Sequence, residues 1–592
     1  MCGFAGEIRF DDRPVDVAAV GRMNDRMAAR GPDAHGLWQS GRVALAHRRL
    51  TIIDLSRAGE QPMVDSQLGL SLVFNGCIYN YRELREQLES KGYRFFSHSD
   101  TEVILKAYHC HGPEFVQRLA GMFAFAIVER DTGRVVLGRD RLGIKPLYYA
   151  EGPGRLRIAS TLPALLAGGE VDTSIDTIAL HHYMTFHSVV PAPHTILNGV
   201  KKLPAGCVRV IQPDGRYEEH NYWRPSFTRP AQPMAADEWQ HALLARLRKA
   251  VERRMIADVP IGVLLSGGLD SSLIVGLLAE SGQRDLLTFS IGFEAGGGES
   301  GDEFHYSDII ANTFGTRHHQ IRIPDTRLLT GIDAAISHMS EPMISHDAVA
   351  FFLLSEEVSK HVKVVQSGQG ADEVFAGYDW YPKLAAMPRE QAVDAYSQAF
   401  FDRPRALLEQ IVSPAYLADR DVSYEFVREH FAQPGATTTL DAALRIDSTI
   451  MLVDDPVKRV DNMTMAWGLE ARVPFLDHEL VELAAMCPPE LKLAQGGKGV
   501  LKDASRKLLP AEVIDRPKGY FPVPGIRHLQ GALFDRVQMA LSSRAARERG
   551  LFRDAYLQQL LSAPNEIRSN LGSNVLWQVA LLELWLQEHH IS

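Results

Sequence analysis

Short apolar runs separated by turns dominate the first third of the chain. Residues 42–47, 71–74 and 135–138 are apolar-rich runs of strand length. Helical spacing is clear in two places, residues 81–91 and 102–110. A few helices among many short strands predict an α+β domain in which two antiparallel sheets stack on each other.

The pattern changes beyond residues 223–236, a stretch of little periodicity with three prolines. From about residue 237, helix-length segments alternate with the apolar runs 262–265, 286–291 and 362–366, which predicts a parallel, doubly wound sheet. The glycine- and acid-rich residues 294–303 predict a mobile loop. We therefore predict one domain at residues 1–215 and a second at 216–592, with a linker at 223–236.

After about residue 375 the pattern is mainly helical. The last segment carries Trp577, Leu581 and Trp585 at helical spacing, which predicts a helix packed in the core.

Composition and charge narrow the class of protein. The 592 residues are 45% hydrophobic and 23% charged, which is typical of a folded soluble protein, and a net charge of −10 offers no basic surface for nucleic acid. Five scattered cysteines without a CxxC pair argue against a zinc site or a disulfide framework. The chain has no apolar run of about eighteen residues and does not begin with a signal segment. We expect a cytoplasmic enzyme with neither a nucleic-acid nor a membrane partner.

The strongest chemical signal is the segment 265–272, Leu-Ser-Gly-Gly-Leu-Asp-Ser-Ser, between an apolar strand and a helical pattern. Glycines let the backbone approach a phosphate closely, and a helix N-terminus adds unpaired N–H donors. Ser271 and Ser272 can cap the helix and donate to phosphate oxygens. Asp270 would repel phosphate unless a cation lies between them, which indicates Mg²⁺. A plain strand–turn–helix connection is the alternative, and a string this specific disfavours it.

A second turn supports the first. Residues 364–373 again join an apolar strand to a turn that contains Gly368, Gly370 and the carboxylate of Asp372. Loops at the carboxyl ends of parallel strands meet in one crevice, so Asp372 is predicted as a second Mg²⁺ ligand opposite Asp270. Taken alone, an Asp-Glu pair at this place is more often the acidic start of a helix.

The first residues suggest a nucleophile. Removal of Met1 would leave Cys2 with a thiol and a free α-amine in the same residue. An α-amine titrates at about 7.7–8.0 and can take the thiol proton directly or through one water.

Four further elements belong with Cys2, although each has an ordinary structural explanation. Arg49 is expected at the start of an apolar strand, and Asn75-Gly76 is a common tight turn. Asp100 precedes a helical pattern, as a cap would, and Arg141 is typical of a solvated charge. Their combination with an N-terminal cysteine is what carries information.

Together these motifs resemble known families. The N-terminal half resembles class II glutamine amidotransferase domains, whose nucleophile is an N-terminal cysteine, and the 265–272 loop resembles that of N-type ATP pyrophosphatases. The whole chain, from Met1-Cys2-Gly3 to Arg-Val-Pro-Phe-Leu-Asp at residues 472–477, resembles the asparagine synthetase family. The resemblance implies an Ntn-type N-terminal domain, then a parallel-sheet ATP pyrophosphatase domain with a helical C-terminal part. It implies ATP and Mg²⁺ as cofactors and allows a homodimer.

The resemblance also implies residue roles. Cys2 would attack the side-chain amide of glutamine, with the Asn75 side chain and the Gly76 N–H as the oxyanion hole. Arg49 would bind the glutamine carboxylate and Asp100 its amino group, with the backbone through Ile53 lining the same pocket. ATP is assigned to Leu264, Ser266, Gly267, Gly268, Asp270, Ser271, Ser272, Ile291, Ser367 and Gly368. Mg²⁺ is assigned to Asp270 and Asp372, and Lys518 would neutralise phosphate charge during adenylation.

Three positions depart from asparagine synthetases. Cys77 replaces the Glu of Asn-Gly-Glu, which leaves Asp100 to bind the glutamine amine. Gln369 replaces a Glu that handles ammonia near the acyl-adenylate; its amide cannot act as a base but can hydrogen-bond a carbonyl or amide. Asn462 replaces an Arg, which suggests an acceptor with fewer charges than aspartate. With Gly-Cys-Ile-Tyr-Asn at residues 76–80, these departures most resemble the N-acetylglutaminylglutamine amidotransferases, which amidate a capped dipeptide to make an osmolyte.

We therefore predict a glutamine-dependent carbon–nitrogen ligase. It would hydrolyse glutamine, adenylate an acceptor carboxylate with MgATP, and form an amide with release of AMP and pyrophosphate. The predicted acceptor is N-acetylglutaminylglutamine; aspartate, as in an asparagine synthetase, is the first alternative. A non-catalytic glutamine or nucleotide sensor is disfavoured by the intact set of Cys2, Asn75, Asp270 and Asp372. Lactam closure is a further alternative, although such chains need no working Cys2.

Overall fold

Two antiparallel sheets form the N-terminal part of the protein. The computed structural model describes residues 2–294, 301–517, 519 and 528–592. The strands of these two sheets are β1 (Cys2–Arg9), β2 (Ala34–Ser40), β3 (Val43–Arg49), β4 (Met63–Asp65), β5 (Leu70–Ile78), β6 (Gly121–Glu129), β7 (Val135–Arg139), β8 (Tyr148–Gly152), β9 (Arg155–Ala159), β10 (Lys201–Lys202), β11 (Cys207–Ile211) and β12 (Tyr217–Asn221). The helices of this part are Val17–Arg26, Tyr81–Ser90, Asp100–His111, Leu162–Gly168 and Thr177–Thr185.

The two sheets stack face to face. Their strand orders are β10-β8-β9-β1-β3-β2 and β12-β11-β7-β6-β5-β4. Phe4 and Ile8 of β1 pack in one buried cluster with Val73 of β5, Ala126 of β6 and Leu137 of β7. The helix Val17–Arg26 contacts β1 and β3, and Asp100–His111 contacts β5. The predicted α+β domain with stacked antiparallel sheets is confirmed.

Strand pairing corrects the expected local structure around the pocket residues. Arg49 ends β3 rather than starting an apolar strand, because β3 already pairs along its length with β1 and sets Arg49 opposite Cys2. Asn75 and Gly76 form no turn, because they lie inside β5 and pair with β6.

Two other pocket candidates also differ from their ordinary explanations. Asp100 is the first residue of its helix, and the N-cap is Ser99, whose side chain accepts from the Thr101 N–H. Arg141 is buried rather than solvated, and its guanidinium donates to the Leu119 carbonyl at 2.6 Å.

A parallel sheet of five strands forms the framework of the C-terminal part. Its order is β15-β14-β13-β16-β17. The strands are β13 (Ile261–Leu264), β14 (Leu287–Phe293), β15 (Arg317–Ile323), β16 (Val364–Gln366) and β17 (Glu470–Arg472). The first helices of this part are Ala236–Arg253, Leu269–Glu280, Phe304–Phe314, Asp325–His338 and Asp347–Ser359. The predicted parallel sheet is confirmed, whereas the predicted mobile loop falls largely on residues 295–300, outside the described residues.

The remainder of the chain is mainly helical, as predicted. Its α-helices are Ala371–Phe375, Tyr381–Ala385, Ala392–Phe400, Arg405–Ile411, Val422–Ala432, Thr439–Ile446, Lys458–Met465, His478–Met486, Pro489–Leu493, Gly499–Ser505, Ala511–Ile514, Gly531–Leu541, Arg544–Arg549, Asp554–Ser562 and Val575–Glu588. Trp577, Leu581 and Trp585 of the last helix are buried in the largest apolar cluster. Within the described residues, no helix has both the length and the apolar character that crossing a bilayer requires.

Buried ion pairs hold the N-terminal and C-terminal parts together. Asp461 accepts from Arg30 at 2.9 Å and from Lys145 at 3.1 Å, and all three side chains are buried. Lys202 donates to Asp454 at 2.5 Å across the same interface. Because a buried charge is costly without its partner, these pairs penalise any other alignment of the two parts.

Candidate active sites

The first pocket lies where β1 begins. Cys2, Arg49, Ile53, Gly76 and Asp100, all predicted glutamine-site residues, line one cavity. Burial raises the pKa of the Cys2 thiol, so formation of the thiolate needs a base close by. The structure thus brings the predicted nucleophile together with its predicted binding residues.

Of the two predicted oxyanion-hole residues, Gly76 lines the pocket, whereas Asn75 contacts Cys2 but is not among the lining residues. Asn75 Oδ1 accepts a hydrogen bond from the Cys2 backbone nitrogen at 3.2 Å. Asn75 Nδ2 is buried and has no hydrogen-bond partner among the described residues, which is a costly state for an amide donor. Gly76 must be glycine, because a Cβ there would lie 2.1 Å from the Met122 carbonyl oxygen.

Arg49 and Asp100 supply opposite charges to the pocket. The Arg49 guanidinium donates to the Ser56 carbonyl at 2.9 Å and contacts two further carbonyls of the same loop. A guanidinium fixed in this way suits a carboxylate ligand. Asp100 Oδ2 accepts from the Ile78 N–H at 3.0 Å, and burial raises the pKa of its carboxyl to about 6. Arg49 and Asp100 thus offer one group to each charged end of an amino acid.

Sequence reasoning missed two charged residues of this pocket, because both come from the parallel sheet. Glu470 and Arg472 of β17 line it, together with Cys77 of β5. Arg472 Nε donates to Glu470 Oε1 at 2.5 Å, and Arg472 Nη2 lies 3.6 Å from Cys77 Sγ. The motif at residues 472–477 marks this segment in the sequence, but it does not show that the segment closes the glutamine pocket.

The second site is a cleft of about 610 Å³ beside the carboxyl ends of β13 and β16. The predicted ATP residues that line it are Leu264, Ser266, Gly268, Asp270, Ser271, Ile291, Ser367 and Gly368. The two predicted loops touch, since a Cβ on Gly368 would lie 3.1 Å from the Ser271 backbone nitrogen. The convergence predicted from the strand ends is thus present in the structure.

Two predicted ATP residues lie behind the loop instead of lining the cleft. Gly267 has a φ of +74°, and a Cβ there would lie 2.5 Å from the Ser307 nitrogen, so this glycine allows close packing against a helix. Ser272 is fully buried, and its N–H donates to the Gly268 carbonyl at 3.0 Å. Lys518 lies outside the described residues, and its role stays a prediction.

Asp270 and Asp372 converge on one cation, Lys498, which the sequence did not single out. Lys498 Nζ lies 2.6 Å from Asp270 Oδ2 and 2.9 Å from Asp372 Oδ1. Burial opposes the charge, but the two carboxylates raise the pKa of Lys498.

The same two carboxylates are ligands of the type that the predicted magnesium binds, but in this structure both of them pair with Lys498. Mg²⁺ binds to one or two carboxylates and completes its shell with water and substrate phosphates. Within the described ranges, no group of three or more His, Cys, Asp or Glu side chains could hold a metal ion. A magnesium ion held by Asp270 and Asp372 would therefore depend on nucleotide phosphates for further ligands.

Part of the cleft wall is polar. Asp347, Glu373, Tyr378 and Arg459 line it with Gln369. Burial raises the pKa of the Asp347 carboxyl and raises that of Glu373 to about 7. The Tyr378 hydroxyl donates to Glu373 Oε1 at 2.6 Å. This wall thus combines a guanidinium with an amide, a phenol and weakly acidic carboxyl groups.

Asn462 does not belong to this cleft. It lines a separate small cavity with Tyr148 and Lys202, and its Oδ1 accepts from the Ser340 N–H at 2.6 Å. The expectation that its neutrality reflects the charge of the acceptor is therefore not supported by its position.

One buried apolar cluster connects the walls of the two sites. Leu50, Ile52 and Cys77 of the first pocket belong to the same cluster as Leu265, which lines the cleft. Val473, next to the pocket residue Arg472, also belongs to it. Packed apolar side chains thus run from one site to the other.

Comparisons with known proteins show the family to which the chain belongs. Residues 242–587 match the family model described as Asparagine synthase, and residues 1–223 match that of the Glutamine amidotransferase domain. The glutamine-hydrolyzing asparagine synthetase 1 of Bacillus subtilis (strain 168) is 32% identical, over 99% of this chain and 96% of that protein. Amidase chry2 of Gibberella zeae is 27% identical, over 84% of each chain. A solved structure of glutamine phosphoribosylpyrophosphate amidotransferase from B. subtilis covers 54% of this chain and 81% of its own at 14% identity, with a TM-score of 0.29. The chain therefore belongs to the asparagine synthetase family and is a glutamine-hydrolysing amidotransferase, a ligase that takes nitrogen from glutamine.

Proposed function

We propose that Cys2 becomes the glutaminase nucleophile once Met1 is removed, with its own α-amine as the base. That amine would be the nitrogen that donates to Asn75 Oδ1 at 3.2 Å, so Asn75 would orient the base while its Nδ2 faces the oxyanion. The thiol sulfur attacks the glutamine side-chain carbonyl, and its proton passes through the amine to the departing ammonia. Water then hydrolyses the thioester to glutamate.

We propose adenylation of the acceptor in the cleft. The acceptor carboxylate attacks the α-phosphorus of ATP and displaces pyrophosphate, and ammonia then displaces AMP from the acyl-adenylate. The turn from Ser266 to Ser271 lies at the N-terminus of the helix Leu269–Glu280, whose free N–H groups suit phosphate oxygens. Magnesium held by Asp270 and Asp372 would neutralise phosphate charge, and Lys498 offers a further cation nearby.

Ammonia is proposed to pass inside the protein. The apolar cluster that joins the walls of the two sites supports this route, because neutral ammonia enters an apolar region at a much lower cost than a charged ammonium ion. We place the boundary between the two activities near residue 215, close to the end of the amidotransferase match at residue 223.

The proposed acceptor is the terminal carboxylate of N-acetylglutaminylglutamine. The observation that carries this choice is Gln369, a neutral amide in the cleft wall between Gly368 and Gly370. An amide donates and accepts at once, which suits the amide groups of a capped dipeptide.

Aspartate is the second candidate. The relative at 32% identity over nearly the full chain carries the name of an asparagine synthetase. Arg459, in the cleft wall, could pair with the second carboxylate of aspartate.

Pyrophosphate release and product mass decide between the acceptors. The protein, with Met1 removal verified, is given glutamine, MgATP and either acceptor. We expect turnover with the capped dipeptide. Turnover with aspartate and none with the dipeptide would reject the dipeptide as the acceptor. Gln369→Glu should lower kcat/KM for the dipeptide about 10-fold, the value of one lost hydrogen bond. Glutamate release by the same variant serves as the control, since Gln369 lies in the other site.

A further inference from the structure

We propose that Glu470, on β17 of the C-terminal part, is a glutamine-binding residue whose carboxylate pairs with the α-ammonium group of glutamine. It would thus complete the glutaminase pocket from outside the amidotransferase domain. This inference rests on the proposed glutamine pocket and adds a ligand to it.

The position of Glu470 carries the proposal. Its side chain lines the same cavity as Cys2, Arg49 and Asp100, although it belongs to the parallel sheet. It is 1% exposed, so its carboxylate faces that cavity and the surrounding protein rather than solvent. Its charge is close enough to raise the pKa values of Cys2 and Asp100.

A second carboxylate, that of Glu470, would complement the charges of bound glutamine. Glutamine carries a carboxylate, for which Arg49 is present, and an ammonium group. Within the described residues of the amidotransferase domain, Asp100 is the only carboxylate that lines this pocket, and burial raises its pKa to about 6, so it loses its charge in mildly acidic solution. Burial also disfavours charge on Glu470, but Arg472, the N-terminal ammonium of the chain and Lys145 lower its pKa to about 2, so it is ionised at neutral pH. Cys77, on the same wall, contributes no charge because burial raises the pKa of its thiol.

Arg472 holds the proposed ligand in place. Its Nε donates to Glu470 Oε1 at 2.5 Å, and its Nη1 donates to the Arg254 and Ile256 carbonyls at 2.7 Å. An anchored carboxylate loses little side-chain freedom when it binds a ligand. The Arg472 carbonyl also accepts from the Ser367 N–H at 2.9 Å, so the strand that carries Glu470 touches the ATP cleft as well.

Substrate truncation tests the contact. Glu470→Gln keeps an oxygen for Arg472 but removes the charge. We expect kcat/KM for glutamine to fall about 10- to 100-fold, mainly through KM, as for loss of a charge-assisted hydrogen bond. Hydrolysis of glutaramate, which is glutamine without its amino group, should change far less, because glutaramate has no ammonium group that could lose its partner. Synthesis from added ammonium should be unchanged, which shows that the variant is folded.

A rescue and a matched control complete the test. Cys77→Glu, added to Glu470→Gln, puts a carboxylate back on the pocket wall and should restore most of the preference for glutamine over glutaramate. Glu583→Gln neutralises another buried carboxylate, which pairs with Arg549 at 2.6 Å outside this pocket. This variant should hydrolyse glutamine and glutaramate at the wild-type rates. Equal losses for glutamine and glutaramate, or no loss for either, would overturn the role of Glu470. Glutamine hydrolysis that persists in Cys2→Ala would instead reject the proposed pocket itself.

Discussion

Replacing Asn75 by alanine should stop glutamine use while sparing synthesis from ammonium. The substitution removes a buried Nδ2 donor that has no partner among the described residues and an Oδ1 that holds the Cys2 nitrogen at 3.2 Å. Loss of one oxyanion donor lowers kcat by about 10²–10³-fold, or about 2.7–4 kcal/mol. Loss of the neutral hydrogen bond to Cys2 costs about 0.5–1.5 kcal/mol of the free energy of unfolding. The effect on the rate should therefore exceed the effect on stability.

Three measurements separate these effects. Glutamate release reports the glutaminase reaction, pyrophosphate release with ammonium reports the synthetase reaction, and urea denaturation reports stability. Asn221→Ala is the matched control, because Asn221 is exposed and its Nδ2 reaches only the Ala205 carbonyl, at 3.4 Å. If the glutaminase kcat of Asn75→Ala exceeded about a tenth of the wild-type value, the oxyanion assignment would be wrong. A parallel fall of both activities would point to a folding defect instead.

Three further predictions concern the cleft, the interface and pH. Asp270→Asn should abolish pyrophosphate release while glutamate release continues, because Asp270 lines the cleft and not the glutamine pocket; loss of both would contradict this. Asp461→Asn removes the charge shared by Arg30 and Lys145, and we expect urea denaturation to show a loss of about 3–5 kcal/mol in the free energy of unfolding. Burial raises the pKa of Asp100 to about 6, so kcat/KM for glutamine should fall as pH drops through that value and the carboxylate is protonated. Asp100→Asn should give a low kcat/KM without this pH step.

Features encoded within short segments were predictable from the sequence. The turns at Ser266 and Ser367 each follow a strand within a few residues, and parallel strands bring their carboxyl ends together. Lys498 could not be predicted in this way, because 228 residues separate it from Asp270. The position of the Lys498 side chain also depends on a left-handed backbone conformation: Lys498 has a φ of +57° and directly follows two glycines.

Tertiary pairing overrode local preference in the glutamine pocket. Asn75-Gly76 has strong turn propensity, yet pairing with β6 keeps both residues in β5, where Gly76 tolerates an approach that a side chain would block. Glu470 became a pocket residue only because β17 lies beside β16 in the parallel sheet and next to the N-terminal part. No pattern around Glu470 in the sequence indicates that this residue lies next to the N-terminal part.

The central claim is that the nitrogen freed at Cys2 becomes the amide nitrogen of the product. Its most direct test supplies glutamine labelled with nitrogen-15 in the side-chain amide, together with excess unlabelled ammonium, MgATP and an acceptor, and measures the product by mass spectrometry. The wild-type product should carry the heavy isotope well above its share of the free ammonium, and the Cys2→Ala product should carry none. Equal labelling of the two products, or wild-type labelling diluted to the level of free ammonium, would contradict the account.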